Sequence, residues 1–459
     1  MSSKFKVGSL FAGVGGICLG FQQAKNEEAC YEVVWANEID QYACETYRNN
    51  FQHKLIEGDI RKVLNPSFVD DEIENLQKRI TELENEIATV ASDSFAPADI
   101  AEDAHQSEVD EEILEETDSP VQKKKSDILK EKDELQKKLN DLIENRDNNF
   151  DYYTKIHPDI LAERIDILNG GFPCQAFSIA GGQKGFEDDR GILFLSIIEL
   201  INQLDKIHGK PRILLLENVK NLKSHDKGQT YKVIKSELEK VGYTIKETVL
   251  NTMDFTDLPQ NRERIYIAGF LNKEDADKFT FFDNVKKSVV KKTSQQRAED
   301  VKKIIDYDSD SKTLSKYYYT KEKYPIYFVS EEDFDKDNKK ETAVRINLAE
   351  QVDEMHQFYQ VRRGQYVRKN KSDVCPTLTA NMGTGGHNVP LVKVKDGVRK
   401  LTPCETFKLQ GFPIGDGYEL PQKYNGKEYA DSHLYKQAGN AVSVPMIRML
   451  AEKILAIIS

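Results

Sequence analysis

The sequence predicts an α/β protein built on a parallel, doubly wound sheet, and three observations carry that expectation. Strand-like and helix-like runs alternate over the first 60 residues, and the same alternation resumes over residues 165–270. A glycine-rich turn, Gly13-Val-Gly15-Gly16, follows the first strand and opens the first helix. Residues 5–11 read as the first strand, the run to Ala24 as a helix, and residues 31–39 as the second strand, with a helix and a third strand to Ile60. Further strands are expected at 165–172, 213–219 and 265–270, separated by helical spacing at 192–207 and 231–241. The apolar run 442–458 is a last helix that returns to this sheet.

An insertion with a different period interrupts the alternation. Ile73, Leu76, Ile80, Leu83, Ile87 and Val90 are spaced alternately by three and four residues, which is the seam of a heptad helix about 30 Å long at ~1.5 Å per residue. A second seam runs through Ile128, Leu135, Leu139 and Leu142, with Ser119-Pro120 placed as N-cap and first helical position. The two seams describe an antiparallel hairpin. Between them, residues 91–120 hold eleven acidic side chains and no Lys or Arg, a composition too polar to pack, so a disordered acidic tip is expected.

The charge balance depends on that insertion. The whole chain carries 65 basic and 77 acidic residues, a formal charge of −12, which taken alone disfavours a nucleic-acid partner. Residues 71–150 account for −14, leaving the other residues at +2. No apolar run is long enough to cross a membrane and no signal peptide is evident, which predicts a cytoplasmic protein. The six cysteines are scattered without a Cys-x-x-Cys pair, which suggests neither a zinc site nor a disulfide framework, and no metal is expected.

Chemistry gathers at the expected strand ends. The turn holding Gly13, Gly15 and Gly16 lets a ligand approach the backbone, although a plain tight turn would use the same residues. Glu38, closing the second strand, is placed to accept ribose hydroxyls, and Asp59, closing the third, an adenine amino group. Two such carboxylates with no phosphate-binding lysine fit an uncharged-linker nucleoside such as S-adenosylmethionine better than NAD or ATP. Asn440, near the start of the last helix, could complete that pocket.

Gly170-Gly-Phe-Pro173-Cys174-Gln175 puts Cys174 at the carboxyl edge of the sheet, followed by a glycine-rich loop whose Lys184 and Arg190 would favour a thiolate and meet phosphate. A lone cysteine is ordinarily a small buried hydrophobe. Glu217 ends an apolar strand, where desolvation favours a protonated, proton-donating carboxyl; a capping or arginine-paired carboxylate is the alternative. Arg262 and Arg264 alternate in Gln260-Asn-Arg-Glu-Arg and so face one way, toward a ligand, a carboxylate or solvent.

Beyond residue 275 the chain is irregular and lysine-rich, with strand-like pieces at 325–329 and 343–346. Arg362, Arg363 and Arg368, followed by the Gly/Thr/Asn loop holding Thr377 and Asn381, suit phosphate contact and base-edge reading, as they would a solvated face.

In this order the segments resemble the DNA (cytosine-5)-methyltransferase family of bacterial restriction-modification type. The resemblance covers about residues 5–60 and 165–275, with a weaker stretch at 361–459. Gly171-Phe-Pro-Cys-Gln-Ala-Phe-Ser to Gly191, Glu-Asn-Val, Gln-x-Arg-x-Arg and Gly-Asn-Ala-Val carry it. It implies a Rossmann-like S-adenosylmethionine-dependent methyltransferase sheet with a smaller irregular target-recognition domain, acting on a cytosine flipped out of double-stranded DNA.

By the resemblance, Cys174 adds to carbon 6, Glu217 serves ring nitrogen 3, and Arg264, with Arg262 beside it, holds the exocyclic oxygen. Phe11, Gly13, Gly15, Gly16, Glu38, Asp59, Ile60, Pro173, Asn440 and Val442 would line the cofactor site. Gln175, Ser178, Lys184, Arg190, Arg362, Arg363, Arg368, Thr377 and Asn381 would meet DNA.

The chain departs from the family in two places. More than 100 residues separate the Asp59 and Cys174 strands, and Ala441 stands where many relatives carry serine. The expected division is a first catalytic segment at 1–65, the hairpin at 66–160, a second catalytic segment at 161–275, target recognition at 276–428 and a returning helix at 429–459. Expected partners are DNA, a cognate restriction endonuclease and a protein docked on the hairpin, with nucleoid association when DNA is bound. The alternatives are methylation of transfer RNA on the same fold and a non-catalytic DNA-binding scaffold.

Overall fold

The computed structural model describes residues 3–64, 68–93, 120–148, 158–172, 191–308, 312, 314–332, 334, 345–362, 366–384 and 388–459. The chain divides into two units, Met1–Ile60 with Pro158–Ser459, and Arg61–His157.

The first unit is organised by seven strands: β1 (Ser3–Leu10), β2 (Ala29–Glu38), β3 (Lys54–Glu57), β4 (Ile167–Gly170), β5 (Ile213–Val219), β6 (Thr244–Asn251) and, after a two-residue β7 (Gln260–Asn261), β8 (Glu263–Phe270). Their order across the sheet is β3-β2-β1-β4-β5-β8-β6. Residues 167–170 and 213–218 are buried throughout, as expected of central strands covered on both faces. Helix α1 (Gly16–Gln23) follows β1, and α2 (Gln41–Arg48) follows β2, capped by the Asp40 side chain on the Tyr42 and Ala43 amides.

One strand breaks the parallel expectation. β8 lies antiparallel between β5 and β6, with Val219 opposite Arg264 and Glu217 opposite Tyr266. The physical reason is connection length: only residues 252–262 join β6 to β8, too few for the helical crossover that a parallel neighbour needs. The reversal matters for the site. At the edge where β1, β2, β4 and β5 present their carboxyl ends, β8 presents its beginning, and so delivers Arg264.

A second, antiparallel sheet is ordered β11-β10-β13-β14-β9, from β9 (Tyr318–Tyr319), β10 (Phe358–Arg362), β11 (Tyr366–Lys369), β13 (Leu391–Val394) and β14 (Gly397–Lys400). The two-residue β12 (Cys375–Pro376) pairs instead with β7, in parallel. Arg399 on β14 is fully buried and makes a bidentate pair with Glu405 at 2.7 and 2.8 Å. Glu405 in turn closes the capping box with Thr402 at the start of α3 (Pro403–Lys408). The strand-like piece at 325 is a 3-10 turn, Pro325–Tyr327, set by the proline, and Ile346 lies outside any strand; residues 343–344 are outside the described set.

The chain returns through α4 (Asp431–Asn440) and α5 (Val444–Ile458). The latter packs on α1 and accepts a 2.9 Å hydrogen bond from Tyr31 Oη at the Ala451 carbonyl.

The second unit holds two long helices, Phe68–Asp93 and Pro120–Asn148. They pack through Ile73, Leu76, Ile80 and Leu139, with Leu135 and Ile143 partly buried, and Arg79–Glu131 and Lys132–Glu84 ion pairs flank the seam. The acidic stretch 94–119 lies outside the described residues.

Candidate active site

Three strand ends and the first turn of the chain build the site. Phe11 has φ of 54°, a backbone conformation rare for a bulky residue, and the turn continues through Gly13 at 55° and Gly15 at 83°. At Gly15 a Cβ would lie 2.2 Å from the Phe51 ring, so both the dihedral and the close approach require glycine. At Gly13 a Cβ would meet nothing within 4 Å: the turn is open on that side.

Glu38, at the end of β2, ties this turn down. One carboxylate oxygen accepts from the Gly13 amide at 2.7 Å and the other from the Ile39 and Asp40 amides at 2.9 and 2.8 Å. Burial pushes its carboxyl up from the usual range, against the pull of those three amides. The Oε2 atom, with a single donor, keeps acceptor capacity for a hydroxyl.

Asp59 is nearly buried and lies two residues past β3 rather than at its end; Ile60 is buried. Gly16 lies against Val442, where a Cβ would sit 3.0 Å from the valine side chain, and Asn440 is exposed at the end of α4. Ile39 is 62% exposed between two carboxylates. No motif singles it out; its one sequence signal is an apolar residue standing between the carboxylates of Asn-Glu-Ile-Asp-Gln.

At the neighbouring strand ends, Arg264 Nε lies 3.0 Å from Glu217 Oε1. The pair is close without an aligned hydrogen bond, and among the described residues the buried Oε1 has no hydrogen-bond donor. Glu217 lies beside Gly171, where a Cβ would be 3.4 Å from its Oε2. Asn218, the next residue on β5, donates from Nδ2 to the Phe172 carbonyl at 2.8 Å and accepts from the Val219 amide. Pro173, Cys174, Gln175, Ser178, Lys184 and Arg190 lie outside the described residues, as does Arg363.

Arg262 departs from the expected arrangement. It sits between β7 and β8, 2% exposed, and its guanidinium donates to the carbonyls of Leu378, Gly439 and Ala441 at 2.9, 3.2 and 2.5 Å. The alternation that would aim it beside Arg264 is broken there, since residue 262 belongs to neither strand.

Thr377 is likewise turned inward, its hydroxyl donating to the Asn261 carbonyl at 2.6 Å. Arg362 and Arg368 do share a face: the β10–β11 register pairs Gln360 with Arg368 and Arg362 with Tyr366, and Tyr366 is 44% exposed. Burial and the nearby Arg368 charge pull the Arg362 guanidinium down from its usual range. Asn381 is exposed in the 3-10 turn Ala380–Gly383. Among the described residues no cluster of metal-ligating side chains occurs, and no helix is long and apolar enough to cross a membrane.

Comparison with known proteins bears on this geometry. The family model described as C-5 cytosine-specific DNA methylase matches residues 5–77 and 118–456. The chain is 38% identical over 450 residues to the Type II methyltransferase M.Bsp6I of Bacillus sp. (strain RFL6), covering 98% of both chains. It is 30% identical over 465 residues to the Type II methyltransferase M.NlaX of Neisseria lactamica, covering 99% of this chain and 97% of that one. The solved structure of the S. pombe Dnmt2 methyltransferase matches at a TM-score of 0.53 and 16% identity, over 98% of each chain, a likeness of fold.

Proposed function

The chain belongs to the C-5 cytosine-specific DNA methylase family, and from that premise we propose how its own residues divide the work of methylating cytosine at carbon 5 in double-stranded DNA. S-adenosylmethionine, the family's cofactor, supplies the methyl group from its sulfonium centre when bound. The cradle fits it: an open glycine turn, Glu38 with Oε2 accepting a single amide, exposed Ile39 beside Glu38, and exposed Asn440 two residues before the Val442 that Gly16 touches.

Carbon 5 of cytosine is a poor nucleophile, so the ring is first activated by addition of the Cys174 thiolate to carbon 6. Glu217 supplies a hydrogen bond or proton from its carboxyl group to ring nitrogen 3, and Arg264 donates to the exocyclic oxygen, so that both offset the negative charge that grows as the thiolate adds. The addition makes carbon 5 an enamine carbon that takes the methyl group, and once that bond is formed, loss of the carbon 5 proton to water breaks the carbon 6–sulfur bond, releases the Cys174 thiolate and restores the aromatic ring. The observation that carries this division is the Glu217–Arg264 pair: a buried carboxyl group and a largely buried guanidinium 3.0 Å apart, whose facing oxygen accepts no hydrogen bond from the described residues.

Gln175, Ser178, Lys184, Arg190, Arg362, Arg363, Arg368 and Asn381 are assigned to DNA contact. The β10–β11 face supports that assignment, with two guanidiniums beside an exposed tyrosine. Thr377 acts indirectly, by holding the loop before Asn381. The reading includes a cytoplasmic enzyme that protects sites cut by a cognate restriction endonuclease, as expected of a relative of Type II methyltransferases. The transfer RNA and scaffold alternatives draw no support from these relatives.

Bisulfite sequencing of duplex DNA exposed to the enzyme tests the reaction and reads out its target site. The Cys174→Ser variant is expected to bind duplex and transfer no methyl group; methylation at the wild-type rate overturns the covalent route.

A further inference from the structure

Four distant stretches of chain meet at one buried joint beside the proposed site. Gln260 donates from Nε2 to the Leu409 carbonyl at 2.8 Å and accepts the Leu378 amide at 3.2 Å. Gln410 donates to the Ala438 carbonyl at 2.6 Å. Arg262 takes the carbonyls on both sides of Asn440, at Gly439 and Ala441, with one amino group, and the Leu378 carbonyl with the other. The contact is also steric: a Cβ on Gly439 would lie 2.1–2.4 Å from the Thr379–Ala380 backbone. One planar guanidinium therefore bridges the Asn440 peptide, on the cofactor side, and the Leu378 peptide, on the DNA side.

The charge makes this more than packing. Among the described residues no carboxylate pairs with Arg262, and its buried Nε has no partner. Burial, and then the nearby Arg264, pull its guanidinium down to about 9. A buried cation hydrogen-bonded, among the described residues, only to carbonyls is costly to keep even with the Glu217 charge nearby, and a neutral amide would satisfy either peptide alone. What a neutral amide lacks is a rigid fork of donors that reaches both at once.

We propose that Arg262 is a positioning residue that couples the cofactor pocket to the DNA-reading loop, so that binding on either side orders the peptide on the other. The coupling rests on the reading that Asn440 borders the cofactor and Asn381 the DNA. It differs from a role at the base itself, because the guanidinium is committed to backbone carbonyls. By linkage, the factor by which duplex tightens cofactor binding equals the factor by which cofactor tightens duplex binding.

The test measures Kd for S-adenosylhomocysteine with and without target duplex, together with kcat and both KM values. In Arg262→Lys, whose single ammonium cannot span both peptides, the mutual tightening is expected to fall to about 1, both KM values to rise about tenfold, and kcat to stay within about threefold. Thr377→Val, a milder change on the DNA side alone, is expected to raise the cofactor KM as well as the DNA KM. A fall in kcat with both KM values unchanged overturns the proposal in favour of contact with the base. A Thr377→Val effect confined to DNA overturns it in favour of local packing. Asn440→Ala and Asn381→Ala check the underlying reading separately: if neither changes its own ligand's affinity, the pockets are misassigned, whatever Arg262 does.

Discussion

Arg264 Nε stands 3.0 Å from Glu217 Oε1 because β8 runs antiparallel to β5, which brings the first residues of β8 to the edge where β5 ends. Had β8 been parallel, Arg264 would lie at the far edge of the sheet. The pair thus depends on topology, and each partner keeps the other's buried charge in place.

Replacing one partner should separate chemistry from stability. Glu217→Gln keeps the shape and an amide oxygen facing the Arg264 guanidinium but loses the charge, so kcat is expected to fall about 10²–10³-fold, with a loss of stability smaller than that of Arg264→Ala. Arg264→Ala leaves Glu217 buried and unpaired, which costs about 3 kcal/mol in addition to activity. Chemical denaturation of both variants and the double variant checks this: the double is expected to be more stable than Arg264→Ala alone.

Gly439→Ala tests the joint by steric means. The added methyl carbon would lie 2.1 Å from backbone that cannot step aside, unlike a side chain, so a loss of about 1–3 kcal/mol is expected. Gly15→Ala is strained at φ of 83° and drives its methyl against the buried Phe51 ring, which together cost at least about 1–2 kcal/mol. Its larger effect is expected on the cofactor KM, since the turn borders that pocket. Denaturation midpoints and KM values for the two variants distinguish these outcomes.

How far the sequence disclosed this arrangement depended on whether a local period governed the residue. The βα alternation and the heptad seam are periodic, and Ile73, Leu76, Ile80, Leu83, Ile128 and Leu139 are buried as spaced. The Gly13–Gly15 turn was legible because positive φ selects glycine. The direction of β8 was not, because strand patterning is the same in either direction and only the length of the connection decides it. Arg262 and Thr377 were misdirected for a related reason: both act across contacts more than 110 residues apart in sequence, with backbone carbonyls that no side-chain motif advertises. Glu217 was legible as a carboxylate at a strand end, while its partner among several arginines was settled by register alone.

The helical hairpin is expected to be dispensable for methyl transfer. The family model passes over residues 78–117, and the hairpin holds itself together through its own seam. Joining Leu64 to Pro158 by a short glycine-serine linker should leave kcat and the methylated sequence unchanged, read by bisulfite sequencing. A lost activity that returns when the hairpin is restored would assign it a role in the reaction.

A histidine beneath the cofactor turn sets an acid limit. His53 Nε2 bonds Tyr47 Oη, which donates to Cys18 Sγ at 3.0 Å, and Phe51 packs on both the Tyr47 and His53 rings. Burial pushes the His53 imidazole down to about 4, from about 6.5 in an unfolded chain. Between those values the unfolded chain holds the extra proton, so stability conferred by the neutral ring is present above about pH 6.5 and is lost as the pH falls toward 4. Glu38 acts in the opposite sense, since burial raises its carboxyl and its contribution to stability falls as the pH rises through that range. Its contribution, like that of the other carboxylates, cancels in a comparison of wild type with His53→Gln. The wild type is therefore expected to lose more melting temperature than His53→Gln between about pH 6.5 and 4.5, and its cofactor KM to rise over the same interval as Phe51 loosens against Gly15. Parallel curves for the two proteins would show that the ring is not buried as described.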